Sequence, residues 1–150
     1  MIQTAQTLSN AFFYNTAVPY NILLVEDNSS DAAYIKMMLD EIQVPYTLER
    51  LKRGNEVLPY LMRSGVFAGR PTPDMILLDL GLPCLDGFEV LNDMTDMSGE
   101  IRSVPIIILT EYKHFSYLKN THDLCIFDYL TKPCDATKLR RVLRLIRCRD

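Results

Sequence analysis

A chain of 150 residues has the size of one compact domain, long enough to bury a core without disulfides or metals. With 48% apolar and 23% charged residues it is neither disordered nor collagen-like, and its longest apolar runs fall far short of the roughly 20 residues a membrane-spanning helix needs. A net charge of -3 gives no reason to expect direct nucleic-acid binding or membrane insertion, and four scattered cysteines without a C-x-x-C pair (Cys84, Cys125, Cys134, Cys148) suit reduced thiols in a cytoplasmic protein.

Residues 1–20 lack the basic start, long apolar stretch and cleavage site of a secretory signal, and are taken as an N-terminal extension ahead of a domain over 21–150. Phe12, Phe13 and Tyr14 within it suit either a free tail or a patch that packs on the domain or on a second subunit. Asn21 to Val25 (NILLV) is an uninterrupted apolar run, the pattern of a parallel strand covered on both faces. A helix follows, with Ser30 as N-cap and a stripe of Ile35, Met38, Leu39 and Ile42. Tyr46 to Leu51 alternates as a weaker strand. Glu56 to Arg63 is expected to be helical with Pro59 near its first turn, and Ser64 to Pro73 (SGVFAGRPTP) to be a surface loop.

Met75 to Leu78 (MILL) is the third strand, and Asp86 to Met97 a third helix. Val104 to Leu109 (VPIIIL) is the fourth strand, with Pro105 tolerated at its beginning. His114 to Thr121 has poor apolar periodicity but is expected to form a short fourth helix. Ile126 to Leu130 (IFDYL) is the fifth strand. A last helix follows, N-capped by Asp135, with Leu139, Val142, Leu143 and Ile146 as its stripe. Strands alternating with helices imply right-handed crossovers and an α/β domain: a single five-stranded parallel sheet with helices on both faces, doubly wound and flavodoxin-like.

In such sheets the ligand site lies beyond the carboxyl ends of the strands. Glu26 and Asp27 follow the first apolar run, Asp79 the third, Thr110 the fourth, and Lys132 with Pro133 the fifth. Carboxylates brought together repel one another and raise the pKa of at least one, unless a cation compensates. Mg2+ suits the set because it prefers oxygen ligands and is held by one or two carboxylates plus a phosphate, with Lys132 supplying a further positive charge.

The set VEDNSSDA, LLDLGLPCLDG, ILT and YLTKP, in this order and spacing, resembles the response-regulator receiver domain family, over about residues 20–147. The resemblance implies that Asp79 accepts a phosphoryl group from a sensor histidine kinase. It further implies that Asp27, Asp79 and the backbone carbonyl of Gly81 hold Mg2+, with Glu26 acting through a bound water. Lys132 pairs with the phosphoryl oxygens, Thr110 donates its hydroxyl to one of them, and Tyr129 matches the family's aromatic switch. The output is a changed surface around the fourth helix and fifth strand, read by an unknown downstream protein. Such a chain assists its own phosphorylation and dephosphorylation and is not a turnover enzyme. The Lys132–Pro133 bond is expected to be cis. The long loop ending in RPTPDMILLDLGLP is similar to that of regulators partnered with phytochrome-type kinases, many of which form homodimers.

Two positions depart from the family pattern. Glu111 stands where a small residue is usual, and Cys125-Ile126 replaces a Gly-Ala pair. His114 and His122 lack acidic or cysteine partners at ligand spacing and are expected at the surface. Residues 132–149 carry Lys132, Lys138, Arg140, Arg141, Arg144, Arg147 and Arg149 against Asp135 alone, which suits a solvated face or a docking or dimer surface. An aspartyl phosphohydrolase would need a second acid two residues after its nucleophile, where Gly81 stands, and nucleotide binding would need glycines that VEDNSSDA lacks. A receiver-like adaptor that works without phosphorylation is the remaining alternative.

Overall fold

Side chains on a strand alternate between faces, so an apolar run without polar interruptions can be stable only where both faces are covered. The computed structural model, which describes residues 18–82, 85–111 and 126–148, shows that arrangement. Five parallel strands, β1 (Tyr20–Val25), β2 (Tyr46–Leu51), β3 (Met75–Asp79), β4 (Ile106–Thr110) and β5 (Ile126–Thr131), lie in the order β2-β1-β3-β4-β5. The described helices are α1 (Ser29–Ile42), α2 (Val57–Leu61), α3 (Gly87–Thr95), α4 (Gly99–Arg102) and α5 (Ala136–Arg147).

The core divides along the sheet. Ile22, Leu24, Met75, Leu77, Ile107, Leu109 and Leu130 pack with the stripes of α1 and α5. The alternate residues, Leu23, Val25, Ile76, Leu78, Ile106 and Ile108, pack with Val57 and Tyr60 of α2 and Val90, Leu91 and Met94 of α3. β2 is an edge strand, which explains its weaker apolar pattern.

The chain crosses from one side of the sheet to the other between β1 and β3, and at such a switch point the loops after the two strands diverge to leave a crevice. Parallel pairing Val25↔Leu78, Asp79↔Leu109 and Thr110↔Thr131 aligns the ends of β1, β3, β4 and β5 at that crevice. Two glycines hold the loop after β3 in place. A Cβ on Gly87 would lie 2.6 Å from Leu80 Cα and 2.7 Å from the Asp79 carbonyl oxygen, and one on Gly54 would lie 2.1 Å from the Leu85 carbonyl oxygen.

Several boundaries differ from expectation. The N-cap of α1 is Asn28, not Ser30, because the Asn28 side chain accepts from the Asp31 N–H at 3.0 Å and Ser30 lies inside the helix. The expected helix over 56–63 is a 3-10 turn, Gly54–Glu56, followed by α2, whose first turn accommodates Pro59. Helix α4 was not expected, and a 3-10 turn, Gly65–Phe67, interrupts the loop after α2. Strand β4 begins after Pro105, whose carbonyl accepts from the Ile76 N–H at 2.9 Å. Asp135 caps α5 as expected, accepting from the Thr137 N–H at 2.8 Å. The Lys132–Pro133 bond is cis. The expected helix His114 to Thr121, the aromatic trio, Cys84, Cys125, His122 and Arg149 lie outside the described residues.

Candidate functional site

A cleft of about 330 Å³ opens at the switch point, lined by Glu26, Asp27, Asp31, Asp79, Thr110 and Lys132 among others. Carboxylate oxygens of Glu26, Asp27 and Asp79 all lie within 4.8 Å of one another. Glu26 is fully buried, Asp79 and Thr110 nearly so, and Asp27 is exposed.

Lys132 lies among these acids. Its Nζ is 2.7 Å from Glu26 Oε2, 3.0 Å from Asp31 Oδ2 and 3.4 Å from Asp79 Oδ2. Its backbone N–H donates to the Thr110 carbonyl at 2.8 Å, which ties the β5 end to the β4 end. The other oxygens are also engaged. Glu26 Oε1 accepts from the Asn28 N–H at 3.1 Å, and Asp79 Oδ1 accepts from the Gly81 N–H at 3.0 Å.

Burial penalises a charged carboxylate, and the neighbouring Asp79 adds to the effect, so Glu26 is pushed up from the ordinary 4.5 to about 7 despite its bonds from Lys132 and Asn28. Burial pulls Lys132 the other way, but the hydrogen bonds to Glu26 and Asp31 and the charge on Asp79 outweigh it and hold the ammonium above its usual range. Lys132 therefore stays charged at any ordinary pH. The oxygen-only donor set of Glu26, Asp27 and Asp79, with one member buried and short of compensation, fits a hard divalent cation such as Mg2+.

Gly81 lines the cleft. Tyr129 is half-buried and packs on the α2–α3 side of the sheet, paired in register with Ile108. Glu111, next in sequence to Thr110, is exposed and lines the cleft, as does Phe88. On α5, Lys138, Arg140, Arg141 and Arg144 are exposed, whereas Arg147 stacks over the Tyr20 ring at 3.7 Å.

Two residues were not singled out from the sequence. Asp31, in the first turn of α1, contributes the third carboxylate to Lys132, and no local sequence pattern marks it. Arg50, at the end of β2, donates through Nε to the Glu26 carbonyl at 3.0 Å and through Nη2 to the Asp27 carbonyl at 3.1 Å, fixing the acidic loop.

Residues 22–144 match the response regulator receiver domain. The chain is 35% identical over 129 residues to the probable methanogenesis regulatory protein FilR2 of Methanothrix harundinacea, covering 86% of this chain and 82% of the relative. It is 32% identical over 114 residues to response regulator Rcp1 of Synechocystis, covering 76% and 77%. A Mn(2+)-bound structure of Rcp1 superposes with a TM-score of 0.68 at 30% identity, over 85% of this chain and 91% of that one. The phosphorylated cyanobacterial phytochrome response regulator RcpA superposes with a TM-score of 0.70 at 31% identity, over 86% and 91%. With a family match over residues 22–144, relatives at 32% and 35% identity over most of both chains, and the same fold, the chain belongs to the response regulator receiver domain family.

Proposed function

We propose that this receiver domain accepts a phosphoryl group on Asp79 from the phosphohistidine of a sensor histidine kinase, with Mg2+ bound at Glu26, Asp27 and Asp79. The observation that carries this reading is the convergence of Asp79, Lys132, Thr110 and two further carboxylates in one cleft at the switch point. The likeness to phosphorylated RcpA and to Mn(2+)-bound Rcp1 supports it. The same likeness to RcpA favours a kinase of phytochrome type.

An Asp79 carboxylate oxygen attacks phosphorus, the P–O bond forms as the P–N bond breaks, and the imidazole leaves with the electron pair and takes up a proton. The Lys132 ammonium, already close to Asp79 Oδ2, turns to the phosphoryl oxygens and stabilises their charge. Bound Mg2+ would offset the remaining charge on the transferring group. The Thr110 hydroxyl donates to a phosphoryl oxygen, and the shift of β4 passes to Tyr129 and the β5 surface, where a downstream protein or a second copy reads it. The domain thus assists its own modification in the cytoplasm and does not turn over a substrate. Among the described residues no helix is long and apolar enough to cross a membrane.

The test is incubation with acetyl phosphate and Mg2+, followed by intact-mass measurement of wild type and Asp79→Asn, with a chelator control. The reading predicts the gain of one phosphoryl group by wild type alone and with Mg2+ alone. No gain by wild type, with acetyl phosphate or with a panel of kinases, would leave the adaptor role.

A further inference from the structure

An ammonium has three hydrogens to donate, and in this cleft all three have a carboxylate to face. Lys132 directs them at Glu26 (2.7 Å), Asp31 (3.0 Å) and Asp79 (3.4 Å). The first two distances are those of good charge-assisted bonds and the third is long, so in this state Lys132 leans away from the residue it serves. The hydrogen that faces Asp79 is the one that meets a phosphoryl oxygen there, and to shorten that long contact Lys132 moves toward Asp79 and loosens one of the two short bonds.

The two short bonds are unequal in what their loss would cost. Glu26 is fully buried, and a carboxylate stripped of its partner there has no water to turn to. The Asp31 side chain is 42% exposed, so water replaces the lysine once it leaves. Asp31 also stands in the first turn of α1, where the partial positive charge of the helix N-terminus favours a carboxylate with or without Lys132. Its backbone is fixed by the Asn28 side chain, so it holds Lys132 from a set place.

We infer that Asp31 is a positioning residue, a solvent-side latch that holds Lys132 in the unphosphorylated domain and releases it to the phosphoryl group. This rests on the proposed phosphorylation of Asp79. Asp31 competes with the phosphoryl group for Lys132, so its presence weakens the phosphorylated state and its removal strengthens it. A role in helix stability alone would predict the opposite, a loss of stability with no gain for the phosphoryl group.

The experiment measures the affinity of the full chain for beryllofluoride, a stable mimic of an acyl phosphate, by calorimetry at saturating Mg2+. It compares wild type, Asp31→Asn, Asp31→Ala and Glu111→Gln, alongside the acetyl phosphate reaction of wild type. The latch predicts that both Asp31 variants bind beryllofluoride about three- to fivefold more tightly, the size of a partly exposed ion pair. Glu111→Gln, which removes a different charge from the cleft lining, should change affinity by less. Unchanged or weaker binding by folded Asp31 variants, or an equal gain from Glu111→Gln, overturns the latch and leaves the function standing. If wild type takes up neither acetyl phosphate's phosphoryl group nor beryllofluoride, the function falls and the latch with it.

Discussion

Glu26 permits a quantitative test of the electrostatics of the cleft. Its carboxyl is fully buried and titrates at about 7 in place of the ordinary 4.5. Between those two values the folded chain holds a proton at Glu26 that the unfolded chain has lost, so stability must fall as pH rises through the window. With 1.36 kcal/mol for each pKa unit, the loss between about pH 5 and about pH 8 comes to roughly 2 to 3 kcal/mol. Urea unfolding of wild type and Glu26→Gln in chelator, followed across that range, isolates this contribution. Whatever the difference between the two proteins at the acid end, it should move by roughly 2 to 3 kcal/mol in favour of the variant at the alkaline end. Saturating Mg2+ should flatten the wild-type curve, because the ion binds the ionised carboxylates and displaces the proton. Parallel pH curves for the two proteins in chelator would refute the reasoning.

Leu77→Ala, at a fully buried position in the central strand β3, should lower unfolding free energy by about 3 kcal/mol in urea titrations with little change in slope. Gly87→Ala places a methyl group where the Leu80 and Asp79 backbone now stands, so it should both destabilise the chain and slow Asp79 phosphorylation by shifting the loop after β3, read by intact mass over time. Cys134 is buried and its thiol pushed up to about 11, chiefly by burial, whereas Cys148 is exposed. Peptide mapping after iodoacetamide treatment at about pH 8 should find Cys148 alkylated well before Cys134.

The inner strands β1, β3 and β4 were legible because burial on both faces forces unbroken apolar runs, and the site was legible because each run is followed at once by a residue with chemistry. The cap of α1 was not, since Asn28, Ser29 and Ser30 are all good cap residues and only the reach of the Asn28 side chain to the Asp31 N–H decides among them. Helix α4 has four residues, too few for any periodicity to show. Arg50 and Asp31 escaped notice for a different reason. Arg50 reaches Glu26 and Asp27 only because β2 pairs in parallel with β1, Val25 opposite Leu51, and Asp31 reaches Lys132 across about a hundred residues of chain. Such pairings are products of topology, and no local pattern announces them.

The same geometry links metal, proton and phosphoryl group through one lysine. Four carboxylates, Glu26, Asp27, Asp31 and Asp79, line the cleft that holds Lys132. Near neutrality Glu26 is poised between its charged and uncharged forms, which relieves part of the repulsion while no cation is bound. Raising the pH removes that relief, and a divalent cation restores it. A phosphoryl group adds further negative charge, so its acceptance should depend on Mg2+ more steeply at about pH 8, where Glu26 is ionised, than at about pH 6, where it is mostly protonated. Acetyl phosphate reactions across a Mg2+ series at the two pH values measure that dependence directly. Equal Mg2+ dependence at both would mean that Glu26 lies outside the linkage, and that Lys132 alone answers for the charge of the group it receives.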